Sequence, residues 1–386
     1  MQEADPKKGH RDRTVSKKYR KDMERRVERQ KAFYERSDAG DLLCSANRWG
    51  RYAILDQAIC PRLHEGPVED VLKPPAVEKM IATYVRMLRE SYETVYAIDD
   101  DVLPCAEVYW GIGGITAAMT CRDPVHDGGT SWFEPNLPWE QIEDLKFDPD
   151  NKWVQFALRV NQALWRHWDE DFFILPFLHR SPLDAANGIR GTDLFLEIYT
   201  EPDKVKRLTE WCADWSIGIE NFIYENVDYR RGWGTGVWGS WMPDRGVFVN
   251  GDPVGLISRE MQREFEGMFT EKLFTRTGGG YFHNHAIGIH QVDLVCRTKG
   301  TLIQEIGPDP NQPHLPDLML RDSALSERVV EASFHTPILL DNIAPNQVDE
   351  ILPILKRGRF MLGMLYWEGF DPNELVKKVR AASNLK

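Results

Sequence analysis

Gly278-Gly279-Gly280-Tyr281-Phe282-His283-Asn284-His285-Ala286-Ile287-Gly288 is the stretch on which the reading of the fold turns. A β-strand sends successive side chains to opposite faces, so His283 and His285, two apart, point the same way from one strand. Two imidazoles then converge on one spot. Either both rings are hydrogen-bonded structural residues at a strand end, or they bind a metal ion or a substrate carboxylate with help from a neighbouring strand.

Working outward, short apolar runs alternate with helical patterns from Gly40 to the end of the chain. Strands are expected over 41–46, 106–110, 172–177, 236–241, 247–250, 280–285, 301–306, 337–342 and 360–366. Spaced apolar residues predict helices over 75–90, 151–168, 201–224, 258–275, 289–298, 344–356 and 371–382. Two of these carry clear start signals: Ser258 is an N-cap candidate, and Asp371-Pro372 places a capping carboxylate before a proline at the first helical position. Such alternation implies parallel strands joined by helical crossovers, and the strand count predicts an α/β fold of the closed (β/α)₈ TIM-barrel type over residues 39–386.

Chemistry in such barrels sits at the C-terminal ends of the strands. That rule selects Tyr109 and Trp110, His179 and Arg180, Trp241, Asn250 and Asp252, His283 and His285, Glu305 and Asp309, Asp341 and Asn342, and Tyr366 with Trp367. Asp252 stands in a glycine-flanked turn, Asn250-Gly251-Asp252-Pro253, after one strand and before a helix. It is either ordinary turn chemistry or the carboxylate of a two-histidine, one-carboxylate set with His283 and His285, suited to zinc or another divalent ion. Glu305, on the following strand, competes for the same role. Asp252, His283, His285 and Glu305 are therefore the candidate catalytic residues, the first three the candidate metal ligands. Trp110, His179, Arg180, Trp241, Asn250, Tyr281, Asn342 and Trp367 are the candidate substrate contacts.

The 386 residues carry a net charge of −12, which argues against nucleic acid as the main partner. Residues 7–36 run the other way, with 13 Lys or Arg against 5 Asp or Glu. Within this basic arm, taken as residues 1–38, Val15, Tyr19, Met23 and Val27 recur every four residues. The result is a narrow apolar stripe on a charged helix, fit to lie along the parent domain or a second subunit in a homodimer. The six cysteines form no Cys-x-x-Cys pair and read as reduced thiols. With a charged start and no run of about 18 apolar residues, the expectation is a cytoplasmic protein without a membrane partner.

Two motifs are set aside. Gly234-Thr235-Gly236-Val237-Trp238-Gly239 has the spelling of a dinucleotide-binding turn, but Ser240-Trp241-Met242-Pro243 follows where a helix must open. Asp123-Pro124-Val125-His126 is one residue too long for the Asp-x-His signature of a cobalamin-binding domain.

An ordered series of segments resembles the uroporphyrinogen decarboxylase superfamily. The series is Ser181-Pro182-Leu183-Asp184-Ala185-Ala186, Gly191-Thr192-Asp193-Leu194-Phe195, Tyr199-Thr200-Glu201-Pro202-Asp203-Lys204-Val205, Asn250-Gly251-Asp252, Ile257-Ser258-Arg259-Glu260-Met261 and Gly279-Gly280-Tyr281-Phe282-His283. The likeness spans roughly residues 145 to 309 and implies a (β/α)₈ barrel with its pocket at the strand ends. In the corrinoid-dependent methyltransferase branch a zinc is held by a His-x-Cys pair and a later cysteine. Here His283 matches the histidine, His285 stands in the cysteine's place, and no cysteine follows Cys296, so a thiolate site is not expected. The resemblance then implies methyl transfer from a small methylated compound, methylamine-like or a methoxylated aromatic, to the corrinoid of a partner protein. Two alternatives stay open: a cofactor-free decarboxylase or lyase in which Arg48, Arg51 and Arg180 grip substrate carboxylates, and a barrel that only binds a ligand.

Overall fold

The computed structural model describes residues 6–46, 51–134, 136–365 and 369–385. Eight passages of parallel strand are arranged in chain order around a ring. They are β1 (Asp41–Ala46), β2 (Cys105–Glu107), a third passage in two pieces, β3 (Phe173–Leu175) and β4 (Leu178–Arg180), then β5 (Val247–Asn250), β6 (Gly280–His285), β7 (Thr301–Gly307), β8 (Ile338–Ile343) and β9 (Arg359–Met364). The third passage breaks at Pro176, which has no N–H to donate to a ladder. Seven strands form one sheet in the order β1-β9-β8-β7-β6-β5-β4, and β2 pairs with β3 in a second.

Parallel strands covered on both faces read as unbroken apolar runs, and the two faces here feed different cores. Leu43, Phe248, Tyr281, Ile303, Leu339 and Met361 point into one cluster inside the ring. Their chain neighbours Leu42, Cys44, Ile338, Leu340, Phe360 and Leu362 pack outward against the helices. In that outer layer Lys152–His167 buries Trp153, Phe156, Ala157, Val160 and Leu164 at helical spacing and is capped by Asn151, whose side chain accepts the Trp153 N–H. Ser258 and Asp371 cap their helices through the N–H groups of Met261 and Asn373.

Two sequence expectations are corrected. The segment 236–241 is not a ring strand but an antiparallel hairpin, Thr235–Val237 with Ser240–Met242. Trp238 and Gly239 at its tip both have positive φ, 48° and 82°. The tip enters the ring, where the Trp238 indole meets Phe248 at 4.5 Å and the Trp238 backbone N–H donates to Glu107 at 2.8 Å. The ring itself is also not closed by backbone pairing. Among the described residues no ladder joins β1 to β2.

That seam is filled by side chains. The Cys44 and Ala46 N–H groups on the open edge of β1 donate to Asp101 and Asp100 at 2.9 and 2.8 Å, and the Asp101 N–H donates to the Cys44 carbonyl at 2.9 Å. Both carboxylates are wholly buried and are held by arginines, Arg26 and Arg51 on Asp100 and Arg29 on Asp101, with Arg380 3.7 Å from Asp101. Arg26 and Arg29 come from the long N-terminal helix α1 (Pro6–Glu35), which also sends Met23, Val27 and Phe33 into the inner core. Gln30 of α1 donates to the Asp101 carbonyl at 2.7 Å and accepts the Trp241 N–H at 2.7 Å, tying seam and hairpin together. The basic arm is thus built into the barrel wall over its described side chains.

Breaking a buried pair strands its partner charge, at a cost of roughly 3–5 kcal/mol. Asp100→Ala is therefore expected to lower stability to chemical denaturation by that amount. Arg357→Ala, which removes an exposed pair with Glu327 screened by solvent, should leave the denaturation midpoint essentially unchanged.

Candidate functional site

Strand β6 turns Tyr281, His283 and His285 to the inside of the ring and Phe282 and Asn284 to the outside. In the parallel register His283 lies beside Glu305 on one flank and Asn250 on the other, and His285 lies beside Gly307. The Glu305 carboxylate, 1% exposed, takes hydrogen bonds from His283 Nδ1 at 2.9 Å and the Tyr281 hydroxyl at 2.8 Å. Gly307 keeps space open for both rings, because a Cβ there would stand 3.0 Å from His283 Cε1 and 3.7 Å from His285 Nδ1.

Asp252 reaches the same spot from β5. The Gly251 N–H donates to the His283 carbonyl at 2.8 Å, and a Cβ on Gly251 would stand 2.3 Å from the Phe282 ring, so only glycine lets the turn sit this close to β6. Asp252 then opens a short 3₁₀ turn, with Oδ2 accepting from Asn250 at 2.9 Å and Oδ1 lying 3.4 Å from His285 Nε2. One ligand atom each from Asp252, His283 and His285 lie within 4.8 Å of one another.

The partners of the two rings assign their tautomers. His285 Nδ1 lies 2.7 Å from the Pro308 carbonyl, which can only accept, so Nδ1 carries the proton. His283 Nδ1 donates to Glu305 in the same sense. In its neutral form each ring then offers its Nε2 lone pair, the arrangement in which a carboxylate or carbonyl orients a metal-binding histidine. Two imidazole nitrogens and one carboxylate oxygen, with no sulfur, suit a divalent ion of zinc type, so the residues present fit a metal.

These groups form one side of a cavity of about 340 Å³ at the C-terminal ends of the strands, within the range of small-molecule sites. Trp238, Phe248 and Tyr109 supply aromatic lining, Ile54, Ile112, Ile115 and Leu178 aliphatic lining, and Asp56, Glu107, Arg180 and Asn250 further polar groups. Arg180 is locked to Asp184 by two parallel bonds of 2.8 Å. Burial works against its charge, and the Asp184 carboxylate more than restores it, leaving the pKa raised. Burial pushes Glu107 up to about 7 against hydrogen bonding from the Trp238 N–H and Tyr52, and burial also raises Asp56.

Several candidate contacts lie elsewhere. Trp110 is buried in the helical layer among Trp153, Phe156 and Phe177. His179 alternates with the cavity-facing Leu178 and Arg180, so it points outward and meets Glu220 at 2.9 Å. Trp241 is 4% exposed beside Tyr34, its indole N–H donating to the Trp233 carbonyl. Tyr281 supports Glu305 from below, and Asn342, next to last in β8, lies outside the cavity lining with φ 60°. Trp367 and Arg48 lie outside the described residues. Glu305 stands behind His283 as its hydrogen-bond partner and does not line the cavity. Trp238, Phe248, Asp56 and Glu107 were not selected from sequence. Glu107 left a signal, an acid inside an apolar strand on the same face as Tyr109, whereas Trp238 was hidden by the hairpin.

No protein-family model and no curated protein matches the sequence. Among solved structures the chain is similar to a methyltransferase from Methanosarcina mazei. The match covers 89% of this chain and 93% of that chain at 12% sequence identity and a TM-score of 0.48. That likeness is too loose to carry function. None of the described helices is long and apolar enough to cross a membrane.

The Glu107 carboxyl gives a pH test. Its folded pKa, about 7, lies above the ordinary value of 4.5. Its contribution to stability is thus fully present below pH 4.5 and is lost as pH rises through 7. At about 1.36 kcal/mol per unit the loss is roughly 3 kcal/mol. Glu107→Gln should abolish it, so thermal unfolding of wild type and variant should diverge between pH 5 and pH 8, with the wild type losing more.

Proposed function

We propose that this chain is a metal-dependent methyltransferase that takes a methyl group from a small methylated substrate and delivers it to the corrinoid of a partner protein. The observation that carries the reading is the convergence of two oriented imidazoles, His283 and His285, with the Asp252 carboxylate on one wall of a substrate-sized cavity. The ordered likeness to the uroporphyrinogen decarboxylase superfamily supplies the choice of methyl transfer. A divalent ion, when bound, supplies Lewis acidity to polarise the group from which the methyl leaves.

The protein's own residues do the positioning. Glu305 and the Pro308 carbonyl hold the two rings in the tautomer that presents Nε2, Asn250 orients Asp252, and Trp238 with Phe248 keeps the space around His283 apolar. The decarboxylase alternative requires free arginines for substrate carboxylates. Arg51 is instead buried in the seam on Asp100 and the Ala46 and Val95 carbonyls, and Arg180 is locked to Asp184.

Purified protein dialysed against zinc should retain about one equivalent per chain, and His283→Ala should lose it together with methyl transfer to free cob(I)alamin, followed by absorbance. A wild type that holds no divalent ion, or a His283→Ala variant of undiminished transfer, would overturn the reading. Glu305→Gln keeps the ligands but weakens the support of His283. It should lower zinc affinity by roughly 10- to 100-fold in a chelator competition.

A further inference from the structure

The cavity lining holds buried hydrogen-bond acceptors that have no donor. Glu107 is 4% exposed; its Oε1 accepts the Trp238 backbone N–H, the Tyr52 side chain also hydrogen-bonds to its carboxyl, and its Oε2 is buried with no partner at hydrogen-bond distance. Asp56 Oδ1 and Asn250 Oδ1, also from cavity-lining residues, are buried in the same condition. Native interiors satisfy nearly all such atoms, so three around one cavity call for an explanation. Donors are scarce on the protein side. Among the described residues the one guanidinium in the lining is Arg180, already committed to Asp184 through Nε and Nη2.

Charge and shape agree with this. Asp56, Glu107 and Asp252 bring carboxyl groups to the lining, while the Arg180 charge is matched by Asp184. Trp238, Phe248 and Tyr109 add aromatic rings, which attract cations. A substrate carboxylate or phosphate would meet like charge and acceptor atoms. A methoxylated neutral ring would fill the space and leave the acceptors without donors.

We propose that the substrate of this cavity is a protonated alkylamine, whose ammonium N–H groups satisfy Glu107 Oε2 and Asp56 Oδ1 while its alkyl groups lie against Trp238 and Phe248. The proposal rests on the cavity being the methyl-donor site and selects the amine class within that reading. Glu107 and Asp56 are then specificity determinants, separate from the His283, His285 and Asp252 set.

The test is calorimetric and needs no turnover. tert-Butylammonium chloride, neutral tert-butanol and pivalate, three compounds of similar size, are titrated into zinc-loaded and chelator-treated full-length protein. tert-Butylammonium should bind in both forms and the other two much more weakly. Glu107→Gln should weaken it by roughly 10- to 100-fold, the value of a charge-assisted hydrogen bond, and Asp56→Asn, at a less buried position, should act in the same direction if Glu107→Gln fails to fold. Pivalate or tert-butanol binding as tightly as the amine, or amine affinity within twofold of wild type in the folded variants, would overturn the proposal. Selective amine binding without any transfer to cob(I)alamin would leave it standing and remove the methyl-transfer reading. Transfer from a methoxylated ring, unaffected in Glu107→Gln, would do the reverse.

Discussion

The parallel register between β6 and β7 is the constraint on which the site depends. It sets His283 beside Glu305 and His285 beside Gly307, so one ring gains a buried carboxylate to orient it and the other gains room to stand. Because side chains alternate along a strand, a slip of one residue would send both imidazoles out into the helical layer and bring Phe282 and Asn284 inward. The outer packing of Phe282 with Val247, Val249 and Phe274, and the bond between Asn284 and Gln304 at 2.8 Å, hold the register from the other face. The chemistry inside is thus fixed by apolar and amide contacts outside.

A ring of eight strands has an interior to fill, and this chain fills part of it with backbone as well as side chains. The hairpin tip at Trp238 and Gly239 lies against residues from β2, β5 and β6, its backbone N–H on Glu107 and its indole against His283. One aromatic residue therefore separates a buried carboxyl of raised pKa from the imidazole pair. A cavity divided in this way can hold two kinds of group at its two ends, which a smooth aromatic wall could not.

The seam between β1 and β2 shows a related economy. Where the backbone ladder is missing, Asp100 and Asp101 take over its acceptor role and carry their charge into the interior, and α1 answers with Arg26 and Arg29. An N-terminal segment that reads as a basic arm with a narrow apolar stripe is, over this stretch, a structural stave. The arginines serve buried carboxylates there, and Arg51 is withdrawn from the substrate site by the same demand.

Local pattern in the sequence determined the strand and helix alternation, the bounds of β1, β5 and β6, the two N-caps, and the shared face of His283 and His285. All of these follow from periodicity two or 3.6 and from capping chemistry acting within a few residues. Tertiary structure alone decided which partner each group meets. Trp110 and His179 satisfied the rule of strand ends yet turned outward, since one residue of phase separates cavity from helical layer. The 236–241 run has strand propensity, but whether it joins a ring or folds back as a hairpin depends on pairing with segments far off in the chain. Glu107 and Asp56 are 51 residues apart in sequence and line one cavity only because β2 and the helix Asp56–Glu65 abut it. Contact between distant segments is set by packing of the whole ring, and no local signal encodes it.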